Sequence, residues 1–330
     1  MKEDRPHETG LPMCGVALAV PVTMLATGVD NGLFTRAEDG TWTQLSLPPG
    51  TPLAIRALAV HKDAVTGVDE LFIGAGLPDN TTPGAIYTGV YDPALPGRVR
   101  IAPAAEFTGF LNRVMAFTEV DGKLLFAAKP DLYERTDGVM PSWSVVASAP
   151  PMPPSVSNSG LRGLTVIGAS SPVVVGGLEG DDGPILRFNP SNGFSPPSTD
   201  LNIGNLLQTL WGTGQNQYII SAYNNMPTIT DPQTGNPVNL IGLQAHNPSR
   251  MMSAWYLVRD ASGHYTLHGV PALTSLSPLG LVAVRTILVS PFAADMGQVL
   301  YLGGYDANFK PAHNTPWLYR VGLQTAMTAP

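Results

Sequence analysis

Short apolar runs separated by polar turns fill this chain, and one of those runs keeps returning with the same lead-in. It reads Arg56-Ala-Leu-Ala-Val60, Arg113-Val-Met-Ala-Phe117, Arg162-Gly-Leu-Thr-Val166, Gln208-Thr-Leu-Trp-Gly212 and Arg285-Thr-Ile-Leu-Val289. A sixth copy, Val16-Ala-Leu-Ala-Val20, keeps the apolar pattern without the arginine. Most copies are followed by a second apolar run ending in Gly or Ala, as in Leu71-Phe-Ile-Gly-Ala75, Leu124-Leu-Phe-Ala-Ala128, Val173-Val-Val-Gly-Gly177 and Leu300-Tyr-Leu-Gly-Gly304. Runs this short, bounded by turn residues, predict strands, and no 3.6-residue periodicity with caps stands out between them. Repetition at this length predicts an array of similar sheet units.

Six units follow, starting near residues 13, 53, 107, 158, 204 and 281. The repeated phrase is the first strand of each and the second apolar run is the next. A third strand carries aromatics: Gly32-Leu-Phe-Thr-Arg36, Ala85-Ile-Tyr-Thr-Gly89, Leu132-Tyr-Glu-Arg135, Pro184-Ile-Leu-Arg-Phe188, Ala254-Trp-Tyr-Leu-Val258 and Trp317-Leu-Tyr-Arg320. A fourth is expected at Trp42–Leu45, Val99–Ile101, Trp143–Val146 and Tyr265–Leu267. Asp-Gly turns before Trp42 and Trp143 suit the hairpins between third and fourth strands. The expected fold is an all-β β-propeller, a single domain over 1–330 with six blades of four antiparallel strands. A seventh blade would have to fit between 208 and 285. The segment Asn224 to Arg250, rich in Pro, Asn, Thr and Gly, accounts for that length as a loop. The last unit shows no fourth strand after Val321, and residues before Met13 are expected to supply it.

Composition agrees. Gly (35) and Pro (32) are scattered between apolar runs, as many short strands joined by turns require. The net charge is −7 and no Lys/Arg run exists, which argues against generic nucleic-acid binding. One cysteine, Cys14, excludes an intramolecular disulfide and a cysteine metal cluster. Residues 13–26 are apolar enough to resemble an export signal, but Glu3, Asp4 and Glu8 precede them, so they read as a strand. No apolar stretch reaches membrane-spanning length. A cytoplasmic protein and an exported one with its signal removed both fit.

The chemistry is expected where the first strands begin, the end of a propeller that usually holds the ligand. Arg56, Arg113, Arg162 and Arg285 stand there, with Gln208 in the fifth slot. Guanidinium groups suit carboxylate, phosphate or sulfate. They also suit pairing with an aspartate of the neighbouring blade, which would fasten the ring. Loops between second and third strands reach the same end and supply Asn225 and Lys310 as further ligand contacts. Asp79, Asp131, Asp181 and Asp306 lie in or beside these loops, and converging carboxylates could hold calcium; turn formation is the other use for them. His313 shares that end and is the candidate proton carrier. His264 and His268 have the spacing of a metal pair but no third partner. No serine-nucleophile elbow, phosphate-binding loop or dinucleotide fingerprint is present.

On its repeated four-strand units the chain resembles bacterial six-bladed β-propellers. The turn Asp39-Gly-Thr-Trp42 is similar to the end of the Asp-box of sialidases, Ser-x-Asp-x-Gly-x-Thr-Trp, without the residues on either side of the Gly. Sialidases bind a carboxylate with three channel arginines, which invites comparison with Arg56, Arg113, Arg162 and Arg285; a tyrosine–glutamate nucleophile pair is not identifiable. Calcium-dependent lactonases and phosphotriesterases of six-bladed form use Glu, Asn and Asp around the axis, which the loop carboxylates would permit. The expected function is recognition of a small anionic or polyhydroxylated ligand, or a peptide, at the channel mouth. A calcium-dependent hydrolase or lyase and a protein-interaction scaffold are the alternatives, because the fold alone does not decide.

Overall fold

The computed structural model describes residues 15–19, 22–28, 32–51, 55–77, 81–111, 113–128, 130–149, 161–167, 173–178, 185–189, 193–194, 218–221, 228–231, 234–246, 255–259, 262, 265–269, 282–306 and 315–324. They form six antiparallel sheets in chain order. Sheet one holds β1 (Gly15–Ala19), β2 (Val22–Gly28), β3 (Gly32–Arg36) and β4 (Trp42–Leu45). Sheet two holds β5 (Ile55–Lys62), β6 (Asp69–Ala75), β7 (Ala85–Tyr91) and β8 (Val99–Ile101). Sheet three holds β9 (Ala116–Val120), β10 (Lys123–Ala128), β11 (Asp131–Thr136) and β12 (Ser142–Ser148). Sheet four holds β13 (Leu161–Ile167), β14 (Val173–Leu178), β15 (Ile185–Asn189) and β16 (Gly193–Phe194).

Sheet five holds β17 (Tyr218–Ser221), β18 (Thr228–Thr230), β19 (Pro237–His246), β20 (Trp255–Arg259) and β21 (Tyr265–Gly269). Sheet six holds β22 (Val282–Val289), β23 (Val299–Asp306) and β24 (Thr315–Gly322). Five of the sheets are meanders; in sheet five both β17 and β18 pair with β19. Neighbouring sheets adjoin in chain order: β5 touches β1 and β9, β13 touches β9 and β17, β19 touches β22, and β22 touches β1. Antiparallel sheets, mostly of four strands, that adjoin one another in chain order and return from the sixth to the first make this a β-propeller.

The second strands show why they read as unbroken apolar runs. Leu71, Phe72 and Ile73 of β6 are all fully buried. Alternate side chains of a strand point to opposite faces. Leu71 and Ile73 therefore pack toward sheet one, with Leu33 and Leu45. Phe72 packs toward sheet three, with Phe117, Phe126 and Trp143. In β10, Leu124 and Phe126 face sheet two while Leu125 and Ala127 join Leu161, Leu164 and Val174 of sheet four. The core is thus a series of layers between neighbouring sheets. The layer of Phe292, Val299, Tyr301 and Leu318 takes in Phe34 and Trp42, which joins sheet six to sheet one. Gly74 sits where layers approach most closely. A methyl group added there would lie 2.5 Å from Val114 Cβ, so the glycine ending this run serves packing between sheets.

One sequence expectation is corrected. The segment 224–250 is not a plain loop: it contains the whole of β18 and β19, and β19 is the strand between β17 and β20. Its Pro-, Asn- and Thr-rich composition reads as a loop, yet Ile229, Val238 and Leu240 are buried. Pro237 stands at the first position of β19, where a proline is tolerated. The hairpin closes through the Gly235 amide on Asp231 O at 2.8 Å and the Asp231 amide on Asn236 O at 2.8 Å. Within the described residues the first strand of sheet five is β17; Gln208-Thr-Leu-Trp-Gly212 lies outside them, as do the residues before 15 that were expected to complete sheet six.

Candidate functional site

The repeated arginine has a distinctive backbone position. In sheet two the ladder pairs Ile55 with Ala75 and Ala57 with Gly74, skipping Arg56. In sheet four it pairs Leu161 with Leu178 and Gly163 with Gly177, skipping Arg162. In sheet six it pairs Val284 with Gly304 and Thr286 with Gly303, skipping Arg285. The same arginine is therefore the extra residue of a β-bulge in three sheets. A bulge breaks the two-residue alternation and redirects the strand's side chains. In sheet three Arg113 precedes β9. The Met115 amide bonds Ala127 O at 2.8 Å, and the buried Arg113 donates Nε to Met115 Sδ at 3.3 Å.

Of the remaining expected residues, Asp131 and Asp306 are among those described. Asp131 opens β11 opposite Ser148 and accepts that hydroxyl at 2.5 Å, a contact within its own sheet. Asp306 ends β23, opposite Val282 and Thr315. Gln208, Asn225, Lys310, Asp79, Asp181 and His313 lie outside the described residues. Among the described residues no group of three or more His, Cys, Asp or Glu is arranged to hold a metal ion. Nor, among them, is any helix long and apolar enough to cross a membrane.

A second polar centre occupies the other end of the same strands. Arg56 is the second residue of β5 and His61 stands near its end, about 17 Å away at the rise of a strand. Arg135, at the end of β11, is 1% exposed and reaches across to sheet two. Its Nη1 donates to Asp63 Oδ2 at 2.9 Å and Asp137 Oδ1 at 2.5 Å. Its Nη2 donates to Glu70 Oε2 and Glu106 Oε2, each at 3.1 Å, and its Nε to Glu106 Oε1 at 3.0 Å. The guanidinium also lies 5.0 Å above the Phe72 ring. Trp143 Nε1 donates to Glu106 Oε1 at 2.8 Å.

Asp63 is held by the turn it belongs to. Its Oδ1 accepts the Val65 and Thr66 amides at 2.9 and 2.8 Å, and its Oδ2 the Gly138 amide at 3.0 Å. Burial by itself would raise the Asp63 carboxyl; the Thr66 amide, Arg135 and the other two amides outweigh it and hold it well below the usual range. Asp137 follows the same balance, lowered chiefly by the Ala64 amide, His61 and Arg135 against burial.

The first-to-last seam repeats part of this arrangement. Arg36 ends β3 as Arg135 stands near the end of β11, and Arg36 pairs with Trp42 as Arg135 pairs with Trp143. The Arg36 guanidinium lies 5.1 Å from the Phe292 ring and 5.5 Å from that of Tyr301. Tyr301 opposes Leu288 as Phe72 opposes Ala59, so the two rings hold the same register. Arg320 pairs with Asp295 beside this seam. Joining of neighbouring sheets, one of the two roles expected for the first-strand arginines, is thus performed by third-strand arginines that sequence reasoning passed over. The signal was present: Arg36, Arg135, Arg187, Arg259 and Arg320 stand in five of the six third strands.

With the geometry in place, comparison with known proteins adds resemblance without membership. No family model matches the chain, and no curated protein does. Among solved structures it is similar to the extracellular domain of a protein described as a hybrid two component system from B. thetaiotaomicron, with 14% identity and a TM-score of 0.49. That match covers 96% of this chain and 34% of the other, so this chain spans about a third of its length. It is also similar to an alpha-L-arabinanase of Cellvibrio cellulosa, with 11% identity, a TM-score of 0.41, and 82% and 98% of the two chains covered. For Drosophila Semaphorin 1a, extracellular domains 1-2, the figures are 9%, 0.36, 96% and 86%.

Proposed function

We propose that the chain is a single six-bladed propeller that binds a small anionic or polyhydroxylated ligand, or a peptide, where its first strands begin. Arg56, Arg162 and Arg285 are the anchoring residues, with Arg113 beside them. The observation that supports this reading is the bulge repeated at Arg56, Arg162 and Arg285. A residue needed only to pack in the ladder requires no interruption of the ladder. An extra residue kept at one register in three sheets, and always an arginine, fits a position whose side chain is directed to a task. Guanidinium forks match carboxylate, phosphate and sulfate oxygens in pairs.

The test is thermal denaturation with a panel of carboxylates, phosphates and sulfated sugars, applied to wild type and to the Arg56→Ala/Arg162→Ala double variant. A ligand present at a hundred times its Kd stabilises the native state by about 2.7 kcal/mol. Each lost charge-assisted contact is expected to weaken binding by roughly tenfold or more. A saturable shift in wild type that disappears in the double variant supports the reading. No shift with any anion replaces it with an inert scaffold, and an equal shift in both proteins moves the binding site away from these arginines.

A further inference from the structure

We propose that His61 is a proton-operated clamp between sheets two and three, gripping as an imidazolium and loosening when neutral. This is independent of the ligand reading, because His61 and Arg56 stand near opposite ends of β5. His61 belongs to sheet two and its side chain is 1% exposed. Both carboxylates that meet its ring belong to sheet three. Nδ1 lies 2.8 Å from Glu119 Oε2, at the end of β9. Nε2 lies 3.0 Å from Asp137 Oδ2 and 3.1 Å from Oδ1, in the turn after β11. An ionised carboxylate only accepts hydrogen bonds. The imidazolium donates at both nitrogens and satisfies both partners. Either neutral tautomer donates at one and turns a lone pair toward the other carboxylate at hydrogen-bond distance.

The surrounding charges favour the protonated form. Arg135 of β11 is in contact with Asp63, Glu70, Glu106 and Asp137, and Glu119 adds a fifth carboxylate through His61. Glu70 of β6 and Asp63 share His61's own sheet, Glu106 lies in the segment leading to β9, and the Phe72 ring is 6.2 Å from the imidazole. One guanidinium serves four of these carboxylates and Glu119 meets only His61, so a second cation in the cluster relieves repulsion. Burial works against charging the ring, but Glu119 and Asp137 outweigh it, and His61 is raised above the usual 6.5. A raised folded-state value means the stabilisation is full below about 6.5 and is lost as pH climbs through the folded value. The Ala64 amide also bonds Asp137 Oδ2, at 2.8 Å, so the first part of the β5–β6 turn is tied to the same carboxylate.

Ring-nitrogen NMR on the whole protein between pH 5.5 and 9 tests this, with six histidines to distinguish. The His61 signal is assigned by its loss in His61→Gln. Should that variant not fold, Glu119→Gln assigns it by a downward shift of its titration, since Glu119 is 46% exposed and its loss leaves the core intact. The expected result is that His61 keeps both ring nitrogens protonated to a pH above the ordinary histidine value of 6.5. A His61 titration at or below that value overturns the clamp. Urea unfolding gives a second readout. Between the ordinary histidine value and the folded one, the wild-type unfolding constant should rise up to tenfold per pH unit, while in Glu119→Gln the rise starts at the same pH but levels off at a lower one, with a smaller total. Equal pH dependence in wild type and Glu119→Gln also overturns it.

Discussion

Arg135 fastens sheet three to sheet two through both polar and aromatic contacts. Its five nitrogen–oxygen contacts fall on four carboxylates, and its other face rests on Phe72. Replacing a partner in such a buried network is costly because the remaining charges stay buried without compensation. Arg135→Met is expected to lower stability by about 3–5 kcal/mol, read from urea denaturation at pH 7. Arg135→Lys should recover little of it, because an ammonium cannot span the fork. The acid side belongs to Asp63. Its lowered folded-state value means its stabilisation is present above the usual carboxylate range and is lost as pH falls through the folded value. Asp63→Asn should therefore flatten the loss of stability between pH 4 and 2; an unchanged acid limb would contradict the assignment. None of these contacts was legible in the sequence. His61, Glu119 and Asp137 are separated by 58 and 76 positions, and only packing between sheets brings them together.

The strands, in contrast, were readable, because the repeat stated each of them several times. The phrases at Val16, Arg56, Arg162 and Arg285 fall in first strands, and Gly32–Arg36 and Trp42–Leu45 match β3 and β4 residue for residue. The failure at β18 and β19 has a physical cause. A strand whose apolar residues are separated by Asn, Gly and Pro scores as a loop until its partners are known, and β-propensity is largely a statement about neighbours. The bulges were also invisible, since an extra residue in a ladder shows only when both strands are paired. The sequence placed glycine at the end of the second run, and the structure supplies the reason at Gly74. Gly74→Val should cost about 1–3 kcal/mol or more by overpacking against Val114, measured by urea or thermal denaturation. A neutral result would show that the two sheets can part at little cost.

At the scale of the molecule the sheets are held by joints, and two of the joints share a plan. Arg135, Phe72 and Trp143 form one; Arg36, Tyr301 and Trp42 form the other, between the last sheet and the first. The ring's first and last sheets thus meet through the contact that joins the second and third. Because an indole takes part in each, the protein contains its own optical gauge. Trp143 lies at a carboxylate and beside a guanidinium, so its emission registers the state of one joint, while Trp42 registers the other. With only five tryptophans in the chain, variants keeping one of these two would let fluorescence show which joint opens first during unfolding, and at what pH.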